Sequence, residues 1–133
     1  MLRASRRDVI ALVEATKVSL SPDMWVNRSP GKRNDQGRSG SGECVSTAVL
    51  VTALQHDMDW QTRAVAEEMI LDSIYRRTGK DWHSIPNFND APGRSYAEVM
   101  QALNWALEDM RNYRESIPFE SVKSRQERLL LPS

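Results

Sequence analysis

Apolar residues recur every three to four positions in four separate stretches of this chain, the spacing of helices that bury one face. The first stretch opens with Ser5 and Asp8, three apart as in a capping box with Asp in the acidic place, and continues through Val9, Ile10, Leu12 and Val13. Its pattern fades near Leu20, before the turn signal Ser21-Pro22-Asp23. The second, ECVSTAVLVTALQHD from Glu43, is rich in β-branched residues, but about 14 continuous positions exceed a typical strand. Cys44, Ala48, Val51 and Leu54–Gln55 share a helical face, so the stretch is expected to be a buried helix. The third runs from Trp60 to about Thr78, with Asp59 as N-cap, Gly79 as terminator, and Ala66, Ile70 and Ile74 along its stripe. The fourth is the clearest. Ser95 and Glu98 form an S-x-x-E start, and Val99, Met100, Leu103, Ala106, Leu107 and Met110 repeat on one side.

The intervening segments are loops. Residues 27–42 hold no periodic apolar residue and are rich in Gly, Ser, Asn and Arg, longer than an ordinary connector. Residues 80–94 read as an ordered loop anchored by Trp82, Ile85 and Phe88 and stiffened by prolines. Met24-Trp25-Val26 permits a short β-strand pair near 24–27. The expected fold is therefore mainly all-α: a compact bundle of about four helices with two long loops. Residues 1–115 would form one helical domain, and residues 116–133 a tail with a short helix after Pro118. Leu129, Leu130 and Leu131 in that tail would be exposed on a lone chain, so the tail either folds back or meets a protein partner or a second copy.

Charge narrows the partners. The chain balances 18 Lys/Arg against 18 Asp/Glu, so no global basic field argues for nucleic acid or an anionic membrane. The balance is uneven: residues 1–40 carry eight bases and four acids, while 41–120 carry seven and thirteen. Arg3, Arg6, Arg7 and the 28–38 loop make a basic neighbourhood, yet the last helix is acidic and unsuited to a DNA groove. No apolar run is long enough to span a membrane. A single cysteine fits a reducing compartment, and the first residues show no secretory leader, so a cytoplasmic location is expected.

Candidate chemistry is sparse. Gly37, Gly40 and Gly42 precede a helix with Lys32, Arg33 and Arg38 nearby, but neither a Walker nor a dinucleotide order is present, and Glu43 would repel an anion. Cys44 lies near the start of a helix, where a thiolate is stabilised; His83 as base and Asn87, Asn89 or Asp90 as orienting group would complete a relay. No sheet is visible to carry such a site, and packing is the simpler role for Cys44. His56, Asp57 and Asp59 are too few for a metal site, so neither metal nor cofactor is expected.

The stretch Phe88-Asn89-Asp90-Ala91-Pro92-Gly93-Arg94-Ser95 closely resembles the W-N-D-A-P-G-R-T signature of domain of unknown function 6197, a family of actinobacteria and their phages. Cys44-Val45-Ser46-Thr47-Ala48-Val49-Leu50 and the aromatic segment around Trp25 are similar to that family too. The resemblance covers roughly residues 5–110 and implies a fold and a bacterial or phage setting, not a reaction. Pro92 and Gly93 set a turn, Ser95 caps a helix, Asn89 and Asp90 suit local Asx-type bonds, and Arg94 suits Asp90 or a neighbouring carboxylate. The expected function is protein–protein interaction or regulation without catalysis, through the 28–38 loop (Lys32, Arg33, Arg38) and the Leu129–Leu131 tail. A cysteine-dependent enzyme or small-molecule binder using Cys44, His83 and Asp90, with Asn89 and Arg94 lining the cleft, is the alternative.

Overall fold

The computed structural model describes residues 3–27 and 45–118. They form a helical bundle with a small sheet, in the order β1 (Arg3–Ser5), α1 (Arg6–Ser19), α2 (Val45–Gln55), α3 (Trp60–Thr78), α4 (Ile85–Asn89), α5 (Tyr96–Met110) and β2 (Ser116–Pro118). The long 27–42 loop, apart from Asn27, and the tail beyond Pro118 lie outside the described residues.

The four periodic stretches are helices, and their ends follow local chemistry. Ser5 accepts the Asp8 N–H at the start of α1, which buries Val9, Leu12, Val13 and Thr16. Thr16 keeps its hydroxyl satisfied by donating to the Leu12 carbonyl at 2.7 Å. Asp59 caps α3 through the Thr62 N–H at 2.8 Å; that bond holds its carboxyl below the ordinary value. Gly79 ends α3 in the left-handed region at φ +78°, which glycine enters without a Cβ penalty. The Ser95–Glu98 capping box is complete on α5. Ser95→Ala is expected to lower stability by about 1 kcal/mol in urea unfolding, with Ser95→Thr close to wild type.

The core sits where α3 packs along α5 and α1 closes over both while also meeting α2. Leu12, Met69, Ile70, Leu103 and Met110 are fully enclosed there. β1 and β2 pair antiparallel, Ala4 opposite Ile117, and Arg6 extends the pairing with its N–H to the Glu115 carbonyl at 2.9 Å. Ala4 and Ile117 are both buried, so this clasp ties the two ends of the described fold to the core.

Three expectations change. The two-stranded sheet joins residues 3–5 to 116–118, while near 24–27 the described β-structure is a single bridge at Trp25; strands of three residues are too short to show alternation. The 80–94 loop contains a helix, α4, started by Ser84 accepting the Asn87 N–H with Pro86 in its first turn. Five residues cannot display a helical period. On α2, Leu54 is 71% exposed, because the buried stripe runs through Ala48, Val49, Thr52 and Ala53 instead.

Candidate functional site

The segment from α4 into α5 is where the sequence signature becomes geometry. Asn89, the last residue of α4, is 0% exposed. Its side-chain oxygen accepts the Trp25 indole N–H at 2.7 Å, and its amide nitrogen donates to the Val26 carbonyl at 2.8 Å and Asp90 Oδ1 at 2.9 Å. Asn27 answers from the other strand of chain, donating to the carbonyls of Asn89 and Ala91, both at 3.0 Å. Trp25 then lies edge-on to Tyr96 at 6.2 Å, and the Tyr96 hydroxyl donates to the Leu20 carbonyl. Burial pushes the Tyr96 phenol up, so it remains a neutral donor. Asn89 and Asn27 thus stitch residues 25–27 to the α4–α5 corner, a long-range role beyond the local bonds expected of Asn89.

The rest of the signature turns and aims the chain. Arg94 N–H closes a turn on the Ala91 carbonyl at 3.0 Å, with Gly93 at φ +81° in the position that requires glycine. Arg94 Nε donates to the Phe88 carbonyl at 2.9 Å, its guanidinium lies 3.9 Å from the Phe88 ring, and Nη1 reaches Glu98 Oε2 at 3.3 Å. Its carboxylate partner is Glu98, not Asp90. Backbone bonding from Ser95, outweighing burial and helped by Arg94, keeps Glu98 below the usual carboxylate range.

Two clefts flank the outward face of α5. The larger, about 680 Å³, runs between α1 and α5 past Val18, Trp105 and Leu107, with Glu14, Lys17, Glu108 and Arg111 around it. The smaller, about 370 Å³, lies between the end of α3, the Lys80–Trp82 segment and the start of α5, walled by Ile74, Trp82, Phe88 and Trp105. Trp105 belongs to both, half-exposed, with Arg77 5.5 Å from its ring centre. Arg77 is itself fixed by Asp109 at 2.8 Å and Glu108 at 3.1 Å.

A family described as a family of unknown function, DUF6197, matches residues 4–109. The chain belongs to that family. In this DUF6197 chain the match spans every helix of the described fold, and it includes the Asn89–Trp25 clamp and most residues of both clefts. No curated protein and no solved structure matches the chain.

The residues singled out from sequence fare differently. Asn89 and Arg94 come together at the α4–α5 corner, with Asp90 half-buried beside them. His83 is exposed, one residue before the α4 cap. Cys44, Lys32, Arg33, Arg38 and Leu129–Leu131 lie outside the described residues. Among the described residues, no group of three or more His, Asp or Glu side chains is placed to hold a metal ion. No described helix is long and apolar enough to cross a membrane. Sequence reasoning passed over Trp105, Arg77, Val18 and Lys80. One signal existed: Trp105 falls on the polar side of α5, in register with Glu98, Gln101 and Glu108, where a large aromatic has no core to fill.

Proposed function

We propose that this protein works by protein contact, with the groove between α1 and α5 as its binding surface. One observation carries the reading: Val18, 85% exposed, and Trp105 stand in a single groove edged by two acids, Glu14 and Glu108, and two bases, Lys17 and Arg111. An apolar centre inside a charged rim is the anatomy of a protein interface, and tryptophan is among the residues that dominate interface energetics. A trough between two helices suits the apolar face of a partner helix. Against a Cys44–His83 enzyme, Asn89, one of the three residues that could orient such a relay beside Asn87 and Asp90, has both amide atoms committed to Trp25, Val26 and Asp90. From the sequence signature we infer an actinobacterial or phage setting, and from the single cysteine the reducing cytoplasm of the bacterial cell.

Affinity capture from an actinobacterial extract tests this with paired baits. A specific partner held by wild type should be weakened about 30-fold or more by Trp105→Ala, consistent with a hot-spot loss of about 2 kcal/mol. Val18→Asp should also release it, while Cys44→Ala and His83→Ala keep it. Loss with Cys44→Ala and retention with both groove variants would sink the reading.

A further inference from the structure

We propose that the smaller cleft, between the end of α3 and the start of α5, binds an organic anion: a flat apolar body carrying one carboxylate. The inference stands on its own observations and does not depend on the groove. Trp82, Phe88, Trp105 and Ile74 supply apolar walls, and Trp82 and Phe88 meet edge-to-face at 5.8 Å. Three aromatics around a cavity would ordinarily suggest a cage for a cationic ligand. Here the chain has already used that chemistry itself. Lys80 Nζ sits 4.1 Å from the Trp82 ring centre, and Arg94 lies 3.9 Å from Phe88 and 5.2 Å from Trp82. A second cation would face two positive charges at close range.

Among the described residues, the charges at this cleft are left one anion short. Lys80 and Arg94 line it against a single lining carboxylate, Glu98. Glu98 is spent: Oε1 accepts the Ser95 N–H at 2.9 Å and the Ser95 hydroxyl at 3.1 Å, and Oε2 accepts from Arg94. Lys80 has no carboxylate within ion-pair distance among the described residues, and its ammonium lies over the Trp82 ring. Lys80 is exposed, so its ammonium is open to a ligand, and a ligand carboxylate set there would gain both the charge and the adjoining ring faces. A volume of about 370 Å³ is at the small end for ligand pockets, which suits one fused ring system with its acid group at the Lys80 edge.

Titration of the full chain with naphthoate, neutral naphthamide and naphthylmethylammonium, followed by calorimetry and tryptophan fluorescence, tests the assignment. Naphthoate should bind about tenfold tighter than naphthamide and weaken with added salt, and the ammonium should not bind. Lys80→Gln should remove most of the naphthoate advantage while leaving naphthamide unchanged, with thermal unfolding confirming an intact fold. Val18→Asp, at the other groove, should leave naphthoate binding as it is, so failure here and failure of the protein-contact reading are separable. Equal affinity for naphthoate and naphthamide, preference for the ammonium, indifference to Lys80→Gln, or no binding of any probe up to millimolar concentration would each overturn the proposal.

Discussion

Replacing Asn89 with alanine is expected to lower folding stability by about 2–5 kcal/mol, seen as a reduced urea midpoint at unchanged slope. The size follows from what the amide leaves behind. Its oxygen is the acceptor for the Trp25 indole and its nitrogen a donor to the Val26 carbonyl, and both partners are in buried residues. Each buried polar group left without a partner costs about 1–3 kcal/mol, more than the bond itself contributes in a fold where water can substitute. Asn89→Asp should fare no better, since it keeps an acceptor but loses the donor and sets a second carboxylate against Asp90. Trp25→Phe removes one bond only and should cost less than Asn89→Ala. A loss below about 1 kcal/mol for Asn89→Ala would show that the α4–α5 corner is held by packing, and that this part of the signature has another purpose.

Arg77→Ala is the second large effect, about 2 kcal/mol at neutral pH, because it unties α3 from α5. Arg77 bonds both oxygens of Asp109, at 2.8 and 3.1 Å, and Asp109 is only 8% exposed. Removing the guanidinium leaves that nearly buried carboxylate without its two charge-assisted bonds. Arg77→Lys should recover only part of the loss, since an ammonium cannot reproduce the two parallel bonds. The effect has a pH signature with a definite sign. Burial pushes the Asp109 carboxyl up, but Arg77, with the nearby Ser73 hydroxyl and the Arg76 charge, outweighs it and the group ends below its reference value of 3.8. A depressed carboxyl adds stability that is present above its unfolded pKa and lost as pH falls through the folded value. Wild type should therefore exceed Arg77→Ala most above about pH 5, with the gap narrowing as pH drops below the reference value. Glu98 follows the same sign in both proteins, whereas Glu67, raised by burial against the pull of Arg63, works in the opposite direction. A gap constant from neutral to strongly acidic pH would rule out the ion pair as the cause.

Much of the bundle was legible in the chain itself because helices are local objects. Asp59, Gly79, Ser95 and Glu98 announce helix ends through bonds that reach no further than four residues. The stripes on α1, α3 and α5 are set by a fixed 3.6-residue period. Short elements escaped for the same reason inverted: α4 has five residues and each strand three, too few for any period to register. Leu54 misled because two adjacent faces of an apolar helix look alike until a neighbour selects one; α1 selected the Ala48–Ala53 side.

The candidate site divides along the same line. Sequence by itself determined the helical class, the caps, the family signature and the presence of a turn at Pro92-Gly93. It left Asn89, Asp90 and Arg94 as polar residues with several local partners open to them. Only the folded chain decided that Asn89 reaches Trp25, 64 positions away, that Arg94 turns to Glu98, and that Lys80 ends over Trp82. Those outcomes depend on which surfaces meet when α1, α3 and α5 pack. A hydrogen-bonding group has no stated partner until the chain brings one within about 3 Å, and nothing in local spacing encodes that approach.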